Sequence, residues 1–271
     1  MNPFSYYEVD SWLHRRNPTA KLVAHLVLSL LLTIIFDPFT PLVFLALAFA
    51  VGRTVGRMPL RTMLKAVVPF WLIAASLMIS NALFANHPEK ANVLWRGGPF
   101  IATVEGAMIG LSLAERSMTV AAFSVLLMMS TDPTDLVRSL VQQAHLPPRF
   151  AYPALAAYRF LPLLQTELET IRLAHRLRGV GRRRGPVGWL REQGRLAIPL
   201  LANAIRRSER VALAMDARGF SAHRTRTHYR QIRFDVADGW VIAIAAIAGS
   251  TILLASAWLG ILRIWSGVLS A

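Results

Sequence analysis

Five apolar runs, most of them close to the length of a membrane-crossing helix, constrain this chain more than anything else in it. A bilayer crossing needs about 20 mostly apolar residues. Ala20 to Phe36 stops at Asp37-Pro38, and Phe39 to Gly56 is short and carries Arg53. Ala66 to Phe84 follows, then Gly106 to Met129 with Glu115 and Arg116 near its middle. Trp240 to Leu262 carries no charge at all, and Trp240 and Trp258 are suited to the two interfaces. The first run is the length of a span and more spans follow, so it does not read as a cleaved signal peptide. The expected fold is an all-α integral membrane protein with about five transmembrane helices and a cytoplasmic domain of long amphipathic helices. The expected division is 1–130 for the first four spans, 131–235 for the cytoplasmic domain and 236–271 for the last span.

Composition supports the class and removes others. The chain of 271 residues is 54% hydrophobic and 17% charged, with a mean hydropathy of +0.43. A disordered chain is less hydrophobic than this, and soluble domains are about 25% charged. Nucleic-acid binders share the basic excess but not the apolarity, so no nucleic-acid partner is expected. The absence of cysteine excludes disulfides, Cys-ligated zinc, iron–sulfur clusters and thiol catalysis.

The net charge of +15 has an address. Residues 131–235 hold 19 arginines, no lysine and 8 acidic residues, a net +11. Arg53, Arg57, Arg61 and Lys65 add four more, and the remainder of the chain balances at zero. Their fourfold spacing would give one basic stripe if a helix ran through them. Five alternating spans place both basic stretches on one side. The positive-inside rule makes that side the cytoplasm, with the N-terminus inside and the C-terminus outside. Most of these arginines, including Arg182-Arg183-Arg184, need do no more than orient the chain or attract anionic headgroups.

Within the basic stretch a device is repeated. Thr131-Asp132-Pro133-Thr134-Asp135 opens a helix with a capping residue, Pro at the first position and an acid in the first turn. That helix is expected to end at Leu146-Pro147-Pro148. Two longer segments follow. One contains Pro162-Leu163-Leu164 and ends Ala174-His175-Arg176-Leu177-Arg178-Gly179-Val180; the other contains Pro199-Leu200-Leu201 and ends Ala214-Met215-Asp216-Ala217-Arg218-Gly219-Phe220. The Pro-to-Arg intervals, 16 and 19 residues, are about 24 and 28 Å of helix.

The apolar stripe of the first segment is Leu161, Leu164, Leu168 and Ile171. That of the second is Leu201, Ile205, Ala212 and Met215, with Ser208 interrupting. Glu167, Glu169, Arg172 and Arg176, and Arg206, Arg207, Glu209 and Arg210, are expected on the other faces. Stripes this narrow suit one helix packed on another. Gly179 and Gly219 read as helix C-caps, where a left-handed residue is cheap only for Gly. Arg178 and Arg218 fall in the last turn. One such Arg is accounted for by the helix dipole, worth about 0.3–1 kcal/mol. Two matching ends suggest two equivalent acidic receptors, because a guanidinium can meet a carboxylate bidentately.

Catalytic signatures do not emerge. The three lysines follow Ala20, Leu64 and Glu89, so no P-loop is present. No histidines stand at helical metal spacing, and no metal site is expected. Glu115 and Arg116 form an adjacent charged pair deep in a span, expected to serve structure or a subunit contact. No enzymatic activity is expected.

These residues resemble the transmembrane T component (EcfT/CbiQ-like) of energy-coupling factor (ECF) ABC transporters. The resemblance covers most of the chain. It runs from Leu13-His14-Arg15, Asn17-Pro18 and Lys21-Leu22, through Thr131-Asp132-Pro133 and Tyr158-Arg159-Phe160-Leu161-Pro162, to Ala174–Gly179, Ala204–Arg207 and Ala214–Phe220. His175 stands where the family commonly has Gln.

The resemblance implies a coupling subunit for vitamin or transition-metal uptake across the cell (inner) membrane. Two ABC ATPase subunits, identical or not, would bind the ATP; no cofactor belongs to this chain. A separate integral-membrane S component would capture the substrate. Ala174, Arg176, Arg178 and Gly179 of one helix, and Ala214, Ala217, Arg218 and Gly219 of the other, would dock the ATPases. Pro162 and Pro199 would be structural positions in the coupling helices. The competing readings are a membrane-bound enzyme acting on a phosphorylated or lipid substrate, and a conventional ABC permease subunit that binds substrate itself.

Overall fold

Asn17-Pro18 starts the first helix by two means at once. The Asn17 side chain accepts from the Thr19 N–H at 2.9 Å, and Pro18 sits where no intrahelical N–H is needed. In the computed structural model, which describes residues 6–7, 9–84, 93–97, 100–179, 185–220 and 228–261, the order is α1 (Pro18–Thr33), α2 (Phe39–Thr54), α3 (Leu60–Val67), a 3₁₀ turn (Val68–Phe70), α4 (Trp71–Phe84), β1 (Val93–Gly97), β2 (Phe100–Thr103), α5 (Val104–Ser130), α6 (Pro133–Gln143), α7 (Pro148–Leu177), α8 (Pro186–Ala217) and α9 (Val236–Trp258). The protein is an all-α membrane protein. Among the described residues, the departure from that class is the antiparallel pair β1–β2. That hairpin was missed in the sequence, although Gly97-Gly98 between β-branched and aromatic residues is its signal.

Leu60–Phe84, Gly106–Ser130 and Val236–Trp258 are long and apolar enough to cross a membrane, while Pro18–Thr33 and Phe39–Thr54 are shorter apolar helices. The third span therefore begins at Leu60, six residues before the sequence suggested. Pro69 cannot donate to a helical carbonyl, and the chain tightens into the 3₁₀ turn there. The last helix starts at Val236, where the expected division put the last span and four residues before its apolar run. Asp235 and Asp238 form a capping box that extends the helix toward its N-terminus. The single basic stripe does not form: Arg57 adopts φ +53°, so Arg53 ends α2 whereas Arg61 and Lys65 lie on α3. The helix begun at Pro133 stops at Gln143, and His145 takes φ +54°.

The described residues form two compact units, Met1–His145 with Ile232–Ala271, and Leu146–Gln231. In the first, α4 packs along α5, α1 on α9, and α2 on α5. Its core includes Leu32, Phe44, Met63, Phe123, Leu126 and Met129. Small residues let the helices approach: a Cβ on Gly249 would meet Leu31 Cδ1 at 2.6 Å, and one on Gly110 would meet the Met78 carbonyl oxygen at 2.6 Å.

By contacts the division falls after His145 and not at residue 131, because α6 packs with this first unit. Half-buried polar contacts hold it there. The Thr19 and Ser139 hydroxyls are 2.6 Å apart. The Gln143 amide donates to the Ile232 carbonyl at 3.1 Å, and the Ile232 N–H donates to Gln142 at 2.8 Å. Asn17 is tied to α9 as well, its N–H donating to Asp238 at 2.9 Å. Charge composition could not show this, since the contacts join residues far apart in sequence.

Candidate partner-docking site

The second unit pairs α7 with α8. Both helices begin at a proline in the first position, and Gly185 caps α8 with φ +91°. Pro153 and Pro162 lie inside α7 and Pro199 inside α8. Each removes one i→i−4 donor, a cost borne only where neighbouring structure supports the helix.

The two helix ends share one backbone geometry. Arg178 has φ −81° and ψ 12°, and Arg218 has φ −89° and ψ 10°. They are the cap residues just beyond the last helical residue, one position further than expected. Gly179 and Gly219 then take φ +69° and +72°. The Gly219 N–H donates to Asp216 O at 2.9 Å and the Phe220 N–H to Met215 O at 3.0 Å. Those two bonds make a Schellman motif. The Gly179 N–H makes the equivalent bond to Arg176 O at 3.1 Å, and Val180 lies outside the described residues.

A Cβ on Gly179 would touch nothing within 4 Å. Gly179→Ala therefore tests the backbone alone. It is expected to destabilise the last turn of α7 by about 1–2 kcal/mol, read as faster hydrogen exchange at Arg176–Arg178. Unchanged exchange would show that the left-handed cap does not hold this end.

Arg176, Arg178, Gly179, Ala214, Ala217, Arg218 and Gly219 are exposed, and Ala174 is half-buried. Among the described residues neither Arg178 nor Arg218 forms an ion pair. The pairing of the helices separates the two ends. Tyr152, near the start of α7, meets Phe220 edge-on with ring centroids 5.9 Å apart. Midway, Arg207 pairs with Glu167, and its guanidinium lies 5.6 Å over the Phe160 ring. The helices thus run antiparallel. Arg218 lies beside the start of α7 and Arg178 at its end, roughly 40 Å apart along the helix.

The seam between them differs from the expected one. On α7 the half-buried residues include Phe160, Leu164, Glu167, Leu168 and Ile171; on α8 Leu200, Asn203, Arg207, Val211 and Met215 are half-buried and Leu196 is buried. Leu161 is 53% exposed, Leu201 60% and Ile205 57%, and Ala212 is exposed too. Glu167 and Arg207, assigned to the outer faces, are in the seam instead. The ion pair and the Phe160 ring together satisfy charges that an apolar seam would exclude. The helix α8 is accordingly turned by about one residue, and its best apolar stripe faces outward.

Glu115 and Arg116 do not pair with each other. Neighbours on a helix diverge by about 100°. Arg116 donates from Nη1 to the Thr33 carbonyl at 3.2 Å, and its guanidinium lies 5.3 Å over the Phe36 ring. It thereby satisfies a carbonyl at the C-terminal end of α1, where a cation is favoured. Glu115 Oε2 is buried without a partner among the described residues.

Sequence comparison places this geometry in a family. Residues 9–229 match the model of CbiQ, a cobalt transport protein. The energy-coupling factor transporter transmembrane protein EcfT of Limosilactobacillus fermentum is 30% identical over 254 residues, covering 90% of this chain and 92% of its own. Proteins of the same description from Heliobacterium modesticaldum and Staphylococcus aureus are 29% and 28% identical, covering 93% and 92% of this chain and 95% and 94% of theirs. The chain belongs to the CbiQ/EcfT family of transporter transmembrane proteins.

Proposed function

We propose that this chain is the coupling subunit of an ECF-type importer. It transmits ATP-driven motion of two ATPase subunits to a separate substrate-binding S component, and catalyses no reaction itself. The observation that carries this reading is the pair of Arg-Gly helix ends: alike in backbone, exposed, and roughly 40 Å apart along α7. One receptor site could not engage both, whereas two like subunits could. An exposed guanidinium at each end offers a bidentate contact to an acidic groove. Ala174, Arg176 and Gly179, with Ala214, Ala217 and Gly219, form the collar around the two arginines.

Residues 146–231 then lie in the cytoplasm, the N-terminus inside the cell membrane and the C-terminus outside, in keeping with the basic excess. The cargo is a vitamin or a transition-metal ion held by the S component. ATP is bound by the ATPases, and no cofactor belongs to this chain.

The outward stripe of α8 gives the S component a surface. Ile198, Leu201 and Ile205 are 73%, 60% and 57% exposed on one face, an unstable arrangement for a helix in water without a partner. The double variant Leu201→Asp, Ile205→Asp is expected to lose the S component on co-purification in detergent while keeping both ATPases. Loss of neither would remove the stripe from the coupling path. Failure of the wild-type chain to co-purify with any nucleotide-binding ATPase would overturn the proposal as a whole.

A further inference from the structure

The chain leaves the first unit after His145 and returns to it at Ile232. Residues 231–235 belong to no helix or strand, so their backbone groups need partners from elsewhere. Side chains at the end of α6 supply them. The Ile232 N–H donates to Gln142 Oε1 at 2.8 Å, and Gln143 Nε2 donates to the Ile232 carbonyl at 3.1 Å. One residue further on, the Asn17 amide donates to the Arg233 carbonyl at 3.2 Å. Gln142, Gln143 and Ile232 are half-buried and Asn17 is buried. The outgoing and returning strands are therefore clamped together where the chain passes between the units.

The clamp has short connections on both sides. Beyond Ile232, Asp235 caps α9, and Asp238 in the first turn of α9 accepts from the Asn17 N–H at 2.9 Å, at the start of α1. On the outgoing side, Ala144, His145, Leu146 and Pro147 separate α6 from α7. Four residues reach at most about 14 Å. They have little slack: His145 is left-handed, and Pro147 and Pro148 fix their own φ and restrict the residue before each. Tyr152, in the second turn of α7, meets Phe220 just past the Arg218-Gly219 end. A displacement at Arg218 thus enters α7 close to the clamp.

The two glutamines have opposite duties toward one residue. Gln142 has to accept from an N–H, and Gln143 has to donate to a carbonyl. We propose that Gln142 and Gln143 are positioning residues for coupling. By holding Ile232 they keep the two strands from separating, so that movement of residues 146–231 is passed to α9 and α1. The proposal rests on the coupling-subunit reading. Absence of ATPases on purification would remove that reading, whereas the results below concern the clamp in a complex that has assembled.

The chain has no cysteine. Leu72→Cys on α4 and Leu254→Cys on α9, both exposed, are spin-labelled before the chain is assembled with its ATPases and S component. In the assembled complex, adding ATP is expected to shift the distance between the two labels, measured by double electron–electron resonance. Gln142→Glu keeps the acceptor and should keep the shift. Gln143→Glu and Gln143→Met keep the length without the donor, and should lose the shift while retaining the ATPases. The two glutamate variants are alike in size and charge, so a purely packing role would treat them alike. A shift retained in both Gln143 variants, a shift lost equally in Gln142→Glu, or no shift in the parent chain would each overturn the clamp. Should Gln143→Glu melt early in detergent, Gln143→Met alone decides.

Discussion

Replacing Arg178 and Arg218 together by Ala is expected to abolish association with the ATPases and with it transport, while the chain still inserts and folds. Both residues are exposed, and among the described residues neither ion-pairs within the chain, so the fold loses nothing by their removal. Truncating one partner of a buried charge pair at an interface costs about 2–5 kcal/mol, roughly 30-fold or more in affinity for each single variant. Arg→Lys should rescue only in part, because an ammonium lacks the planar fork that meets both carboxylate oxygens. Pull-down of the ATPases at undiminished strength from the double variant would end the docking proposal. Equal loss for each single variant would be expected of two like receptors. A large loss at one end only would indicate two unlike subunits.

Gly110→Leu is expected to be the most damaging single change in the membrane unit. A Cβ at Gly110 would lie 2.6 Å from the Met78 carbonyl oxygen and 3.0 Å from its Cα. Backbone atoms cannot rotate out of the way, so α4 must move off α5, the helix it packs along. Overpacking of this kind destabilises by about 1–3 kcal/mol, and the melting temperature in detergent should fall by roughly 5–10 °C. Gly194→Leu is the control: a Cβ there meets nothing within 4 Å. Because Gly is a poor helix former, that variant should melt no lower than the wild type. Equal destabilisation by both changes would show that close approach at Gly110 is not what holds the pair together.

Particular elements show how far the sequence could be read. The Arg-Gly endings were legible because they are local: a helix that stops at Gly needs only that glycine and the preceding turn. The ends of α3 and α9 were less so, since a proline inside one apolar run and a capping box before another moved them by several residues. The β1–β2 hairpin was passed over beside much longer helical signals. The seam of α7 and α8 was read one residue off on α8. Leu201 and Ile205 have the spacing of a buried stripe, but spacing shows only that a face wants covering, not what covers it. Glu167 and Arg207 looked like outer-face charges because each was read without the other. They lie 40 positions apart in the chain.

The sequence by itself determined the membrane class, the concentration of positive charge in two stretches and the duplicated helix ends. These follow from composition, hydropathy and contacts within one helical turn. Only the tertiary structure decided which stripe of α8 is covered, that Arg116 caps α1 rather than pairing with Glu115, and that α6 belongs with the spans. It also showed that the two Arg-Gly ends stand far apart. Each of these depends on side chains distant in sequence meeting in space, and no local pattern records which partner a charged or apolar face will find.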